Sequence, residues 1–450
     1  MRMRMKRSSG LFFLLTTCCL LPTGLVWADE PANASLKADV EVLKARLTQL
    51  EAQLSGTQTL SKEAPSTAGK SGLPTVQLPS GLQGLQISGY ADVSYILNMQ
   101  HADAVNVNPS GSSTKNGGNR GRVFDTQSNG FTPQAFELVL EKPETNEMPI
   151  GFRTDLFFGD DAELIHSNGL GATSAGAGSP AQPFDLQQAY LTVKAPVGAG
   201  IDFKVGKFVT LLRADVIESP ANWNFSRSYL FGYAIPFTHT GALATYPLGE
   251  WGSVSGGIVN GWDIVDDNNQ FKTFLGQLNL TPIKSVTLTL NGITGAERAG
   301  DNRNQRAVVD FVGTWQPCEK LTLMSNYDYG HESSLAHGAV TTAGFDTSNW
   351  QGLALYAKYN LTPKWSLAGR WEWFDDMGNT RTGFTSRGGT TESRINFNEW
   401  TFTSQWTLHE HVLARLEYRH DSADERVFFR GKSKFLDSQD TIAAEMIYHF

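Results

Sequence analysis

Thr441-Ile442-Ala443-Ala444-Glu445-Met446-Ile447-Tyr448-His449-Phe450 reads as one strand with two faces. Ile442, Ala444, Met446, Tyr448 and Phe450 recur at every second position, with Thr441, Glu445 and His449 on the alternate register. Successive side chains of a strand point to opposite sides, so the first set makes an unbroken apolar face and the second a wetter one. A soluble sheet usually ends in a frayed tail, whereas this sequence stops on an aromatic residue inside the pattern. Such an ending is expected of the closing strand of a transmembrane β-barrel, whose apolar face meets lipid.

Working backward from that strand, the same alternation predicts about sixteen antiparallel strands. They fall near 85–97, 133–142, 149–159, 184–195, 200–209, 238–247, 250–261, 270–282, 284–294, 306–316, 319–329, 350–362, 364–374, 396–408, 410–420 and 439–450. Short connections such as Pro196-Val197-Gly198, Pro247-Leu248-Gly249 and Thr362-Pro363 alternate with long ones. Outer-membrane barrels show this asymmetry, with tight periplasmic turns and long external loops. The faces are consistent along the chain: Leu278, Leu280, Leu288 and Leu290 oppose Gln277, Asn279, Thr287 and Thr289, and Trp400, Phe402 and Trp406 oppose Thr401, Thr403 and Gln405. Trp251, Trp315, Trp365 and Trp406 sit beside short turns, where an interfacial aromatic girdle is expected. A barrel of about sixteen strands is wide enough to hold water, which points to passage through it.

Two groups of charges are candidate functional residues. Arg370 and Glu372 alternate with Trp371 and Trp373, and Arg415, Glu417 and Arg419 alternate with Leu416 and Tyr418. With the aromatic and aliphatic set toward lipid, these five charges are expected to line the pore, where they either brace the wall or steer ions. The third long connection, about 210–237, carries Arg213, Asp215, Glu218 and Arg227 among aromatic residues and little glycine. It reads as a shaped loop that enters the lumen as a constriction or packs on the rim. Residues 101–130 and 166–182, rich in Gly, Ser and Asn, are expected to be mobile external loops.

The N-terminal part has another character. Arg2, Arg4, Lys6 and Arg7 precede the apolar run Leu11 to Leu21, and Val26-Trp27-Ala28 offers a cleavage site, so residues 1–28 read as a signal peptide. The run is shorter than the roughly 20 residues a spanning helix needs. Cleavage takes the formal net charge from −8 to −12 and leaves Cys318 as the one cysteine, which excludes an internal disulfide and speaks against a nucleic-acid partner. Within 29–55, Leu36, Val40, Leu43, Leu47, Leu50 and Leu54 keep a heptad, with Asp39 facing Lys44 and Arg46 facing Glu51 across g and e positions. This predicts a periplasmic helix that forms a parallel homo-oligomeric coiled coil or rests on the barrel. Residues 56–84, rich in Ser, Thr, Gly and Pro, read as a linker to the barrel at 85–450.

Several stretches together resemble one family, the β-barrel porin-2 or OmpL-like group of bacterial outer membranes. They are Gly206-Lys207-Phe208, Ser219-Pro220-Ala221-Asn222, Ser226-Arg227-Ser228, Pro236 to Gly241, Val259-Asn260-Gly261-Trp262-Asp263 with Asp267-Asn268-Asn269, Phe374-Asp375-Asp376, and Arg415 to Asp421. The resemblance covers roughly Leu85 to Phe450 and implies a porin that lets small hydrophilic solutes or ions diffuse passively across the outer membrane. Where it would place a glycine and a glutamate, this chain has Arg213 and Asp215. By analogy with barrels of this width the expected partners are outer-membrane lipid, the solutes, and further copies of the chain as a trimer. A rival reading is a structural anchor whose coiled coil spaces the membrane from the cell wall, with peptidoglycan as its partner. The only close histidine pair, His409 and His411, lies at a turn without the spacing of a metal site, and no nucleophile elbow is present, so neither catalytic residues, metal nor cofactor is expected.

Overall fold

The computed structural model of the chain describes residues 82–102, 118–145, 147–170, 183–333, 347–384, 394–431 and 434–450. The signal segment, the heptad helix and most of the linker lie outside the described residues. The strands in chain order are β1 (Gln86–Asn98), β2 (Gly130–Lys142), β3 (Ile150–Phe158), β4 (Phe184–Ala195), β5 (Ile201–Val209) and β6 (Thr238–Pro247). They continue with β7 (Gly252–Val259), β8 (Thr273–Ile283), β9 (Val286–Ala296), β10 (Gln305–Cys318), β11 (Leu321–Ser333) and β12 (Thr347–Thr362). The last are β13 (Trp365–Met377), β14 (Arg394–His409), β15 (Val412–Ala423), β16 (Phe428–Arg430), β17 (Lys434–Leu436) and β18 (Ser438–His449).

All but β16 and β17 close a sixteen-stranded barrel in which β1 to β14 each pair with the next in chain order, β15 pairs with β18, and β18 returns to β1. The seam is antiparallel, running from Tyr90 opposite His449 to Asn98 opposite Thr441. Phe450 completes it, with Gly89 and Phe450 exchanging backbone hydrogen bonds of 3.0 and 3.1 Å. Closure leaves no strand edge, the condition under which a sheet can sit in hydrocarbon with its backbone satisfied. No helix among the described residues is long and apolar enough to cross a membrane.

The alternation read from sequence orients the wall. Met446, Tyr448 and Phe450 are exposed outside, and Ala443, Glu445 and Ile447 are buried inside. Trp251, Trp315 and Trp365 are exposed near the short turns, and Trp365 stacks on Trp406 across β13 and β14.

Two features of the long-loop side depart from expectation. A short helix, α1 (Asp160–Ile165), and the small hairpin of β16 and β17 fill connections that the alternation pattern does not reveal, because each is too short to show a period. Residues 118–129, expected within a mobile excursion, instead fold inward. The Arg122 guanidinium donates to Asp421 at 2.6 and 2.8 Å, and Phe124 packs on Phe231 and Phe237. The glycine-rich composition hid these two anchors.

Candidate functional site: the loop held inside the barrel

The 28-residue excursion between β5 and β6, here loop 3, returns into the lumen. Its two roots are tied together by Thr210 N–H donating to the Phe237 carbonyl at 2.9 Å, and by the His239 ring, which bonds Gly261 O at 2.9 Å and Thr210 Oγ1 at 3.1 Å. Asp263 Oδ1 accepts from the N–H groups of Phe237 and Thr238 at 2.9 and 2.8 Å. Burial raises the Asp263 carboxyl to about 6, against the opposing pull of those two donors.

Inside the loop, Asn222 clasps the backbone of Val216 from both sides, accepting from its N–H at 2.9 Å and donating to its carbonyl at 2.8 Å. The Arg227 guanidinium is spent on the loop's own carbonyls, those of Val216, Ile217 and Phe225, and lies over the Phe124 ring with Asp161 at 3.8 Å. Asp215 accepts from Ser228 N–H at 2.8 Å and from the Tyr356 hydroxyl at 3.2 Å. Arg227 and Asp215 therefore shape the loop and are buried, whereas Glu218 is half-buried and Arg213 is exposed.

The five wall charges face inward, and loop 3 covers them: Arg370, Glu372, Arg415, Glu417 and Arg419 are only 0–3 % exposed. Each meets the loop backbone with the complementary group. Glu417 accepts from the N–H groups of Phe225 and Ser226 at 2.7 and 3.0 Å, and Glu372 from those of Tyr229 and Leu230, both at 2.7 Å. Arg370 donates to Ser226 O at 2.7 Å, Arg415 to Asn222 O at 2.7 Å and Ser219 O at 3.1 Å, and Arg419 to Arg227 O at 2.6 Å. Behind them, Glu399 holds Arg370 at 2.7 Å, Glu445 holds Arg415 at 2.9 Å and Asp421 holds Arg419 at 2.8 Å. Inward positions recur every second residue, roughly 7 Å along a strand. A ladder at that spacing presents carboxylates and guanidiniums in turn to the amides and carbonyls of a chain laid across it. In place of water-lined pore charges, these five form a docking surface. Glu399, Glu445 and Asp421 belong to it as well; their inward parity was readable, but what they would face was not.

Apolar packing completes the docking on the long-loop side. Leu212, Ile217, Leu230, Phe231, Ile235 and Phe237 of the loop join one buried cluster with Trp350, Phe374 and Phe397 of the wall and Phe428 of β16. Trp350 Nε1 donates to Ala234 O at 3.0 Å. Its ring lies over Gly330 on β11, where a Cβ would overlap the indole. On the short-turn side the lumen is more open. There Lys204 and Lys358 are only partly buried, and the pair Lys194–Asp202 is exposed at the turn. Among the described residues no His, Cys, Asp or Glu group is arranged to hold a metal ion.

Residues 84–450 match the family described as "Putative beta-barrel porin-2, OmpL-like". The fold is similar to an anion-selective porin from Comamonas acidovorans, at TM-score 0.53 and 9% identity over 81% of this chain and 99% of that one. It is also similar to the trimer form of OmpT, an outer membrane protein of Vibrio cholerae, at TM-score 0.52 and 10% identity over 81% and 99%. The outer membrane channel DcaP of Acinetobacter baumannii gives TM-score 0.50 and 11% identity over 81% and 97%. No curated protein matches the chain.

Proposed function

For a chain that belongs to the β-barrel porin-2, OmpL-like family, we propose that loop 3 is the element that sets which solutes pass. The protein is an outer-membrane porin, and small hydrophilic solutes or ions diffuse down their gradients through its water-filled barrel. Family membership points to a channel rather than an enzyme. The observation that carries the proposal is the docking of loop 3 across the lumen onto the wall charges of β13, β14, β15 and β18. A loop fixed there narrows the path, and its water-facing residues, Arg213 foremost, supply the local field.

Residues 1–28 direct export, 29–55 form a periplasmic coiled coil, and 56–84 link it to the barrel. The g–e charge pairs of that helix support a homo-oligomer, and the trimer is the arrangement we favour. Contact with peptidoglycan would suit a helix held on the periplasmic side. Purified protein refolded into a planar bilayer tests the central reading. Discrete conductance steps are expected; silence from protein shown to be folded and inserted would overturn it and favour a structural anchor.

A further inference from the structure

The charges that dock loop 3 are matched one against another, but three cations are not: Lys204 and Lys358 toward the short turns and Arg213 at the start of loop 3. Val205, next to Lys204 on β5, is 52 % exposed outside, so Lys204 points inward. Lys358 shares the inward register of Tyr356 on β12, next to the outward Leu355 side. Arg213 projects from the start of loop 3 and is exposed. Among the described residues, none of the three forms an ion pair.

The carboxylates that reach the same water are already engaged. Glu141 is held by Arg153 at 3.3 Å, Asp202 by Lys194 at 3.2 Å, and Glu218 accepts from Gln187 Nε2 at 2.6 Å. Arg153 is drawn more closely to the buried Asp155, at 2.9 Å. Lys204 therefore feels repulsion from both Arg153 and Arg213, offset in part by Glu141 and Asp155, and Lys358 feels Arg415. Each lysine also lies against an aromatic face: Lys204 at 4.8 Å from the Tyr190 ring centroid and Lys358 at 6.0 Å from that of Trp223.

Crowded like charges without a counter-ion are relieved when an anion arrives, and a carboxylate gains charge-assisted hydrogen bonds from them. Walls of low dielectric focus that field into the water between them. The aromatic faces beside the cations give the carbon skeleton of an organic anion a surface to lie on. We propose that the open part of the lumen beside loop 3 selects small organic anions bearing carboxylates, with Lys204 and Arg213 as the binding residues and Lys358, seven strands away on β12, adding to the field. The proposal rests on the reading of the chain as a porin.

The test is the reversal potential of the full-length protein in a planar bilayer across a KCl gradient, followed by addition of sodium succinate. Wild type should prefer chloride over potassium, and millimolar succinate should reduce the chloride current. Lys204→Glu and Arg213→Glu should each move the reversal potential toward the cation side, and the double variant should cross it and lose the succinate effect. Lys284→Glu, on an exposed short turn, should leave the potential within error of wild type. Raising the salt to 1 M, where the screening length falls to about 3 Å, should flatten all of these differences. Steady current with cation preference, or a potential unmoved by the double variant, would overturn this proposal and leave the porin reading intact. Absence of current from inserted protein would overturn both. Block by inorganic phosphate equal to that by succinate would overturn the carboxylate assignment.

Discussion

The two sides of the lumen use the same residue types to opposite ends. On the wall made by β13, β14, β15 and β18, Arg370, Glu372, Arg415, Glu417 and Arg419 are buried under loop 3, and each is satisfied by its backbone. Away from that cover, Lys204 on β5 and Lys358 on β12 toward the short turns, with Arg213 at the start of loop 3, keep contact with water and form no ion pair among the described residues. Inward parity alone does not make a charge part of a permeation path. A charge taken out of water and fully hydrogen-bonded holds structure, because exposing it or stranding its partner is expensive. A charge left wet and unpaired acts on what passes.

The sharpest way to break this contrast is to remove the cover. Replacing residues 213–232 with a short glycine linker should raise single-channel conductance several-fold and weaken ion preference, in protein whose barrel is shown to be intact by heat-modifiable migration. Unchanged conductance would mean that the path never ran past the loop.

A smaller change loosens the docking without shortening the chain. Glu372→Ala with Glu417→Ala leaves the N–H groups of Phe225, Ser226, Tyr229 and Leu230 without their acceptors, and Arg370 with less compensating charge. Leaving a buried donor without its acceptor costs about 1–3 kcal/mol. Protease added to the outside of liposomes bearing the variant should therefore cut within 210–237, where wild type resists. Resistance equal to wild type would show that the apolar cluster alone holds the loop.

Trp350→Phe removes the hydrogen bond to Ala234 O and part of the ring packed over Gly330. A lost hydrogen bond of this kind costs about 1 kcal/mol. The expected result is noisier current with an unchanged reversal potential, since Trp350 touches the covered side only.

The mildest test is Asp263→Asn, which keeps an acceptor for Phe237 and Thr238 but does not titrate. Burial holds this carboxyl at about 6, above its ordinary 3.8, so folding favours the neutral acid. Its contribution is complete below pH 3.8 and is lost as pH rises through about 6. The unfolding temperature of wild type relative to the variant should accordingly fall between pH 4 and 6. A difference that rises over this range would contradict the assignment.

The barrel was legible because strand alternation repeats over the whole chain: Met446, Tyr448 and Phe450 outside and Glu445 inside follow from parity alone. Parity also put Arg370 through Arg419 on the inner face. What it could not supply was the second partner. Docking of Glu372 onto the amides of Tyr229 and Leu230 joins residues more than 140 positions apart, and backbone amides leave no trace in side-chain pattern. The same reason hid the inner brace made by Arg227, which looks from sequence like a pore charge. Residues 118–129 misled through composition, since two anchors, Arg122 and Phe124, outweigh the flexible residues around them.

The most direct test is a cross-link between loop and wall. Asn224 Nδ2 donates to Thr403 Oγ1 at 2.7 Å, from the middle of loop 3 to the inner face of β14. In a Cys318→Ser background, Asn224→Cys with Thr403→Cys should be joined by a short bifunctional thiol reagent in the native membrane, and the join should leave the channel conducting. Two free thiols that stay reactive and uncross-linked in folded barrels would place loop 3 away from the wall and contradict the account.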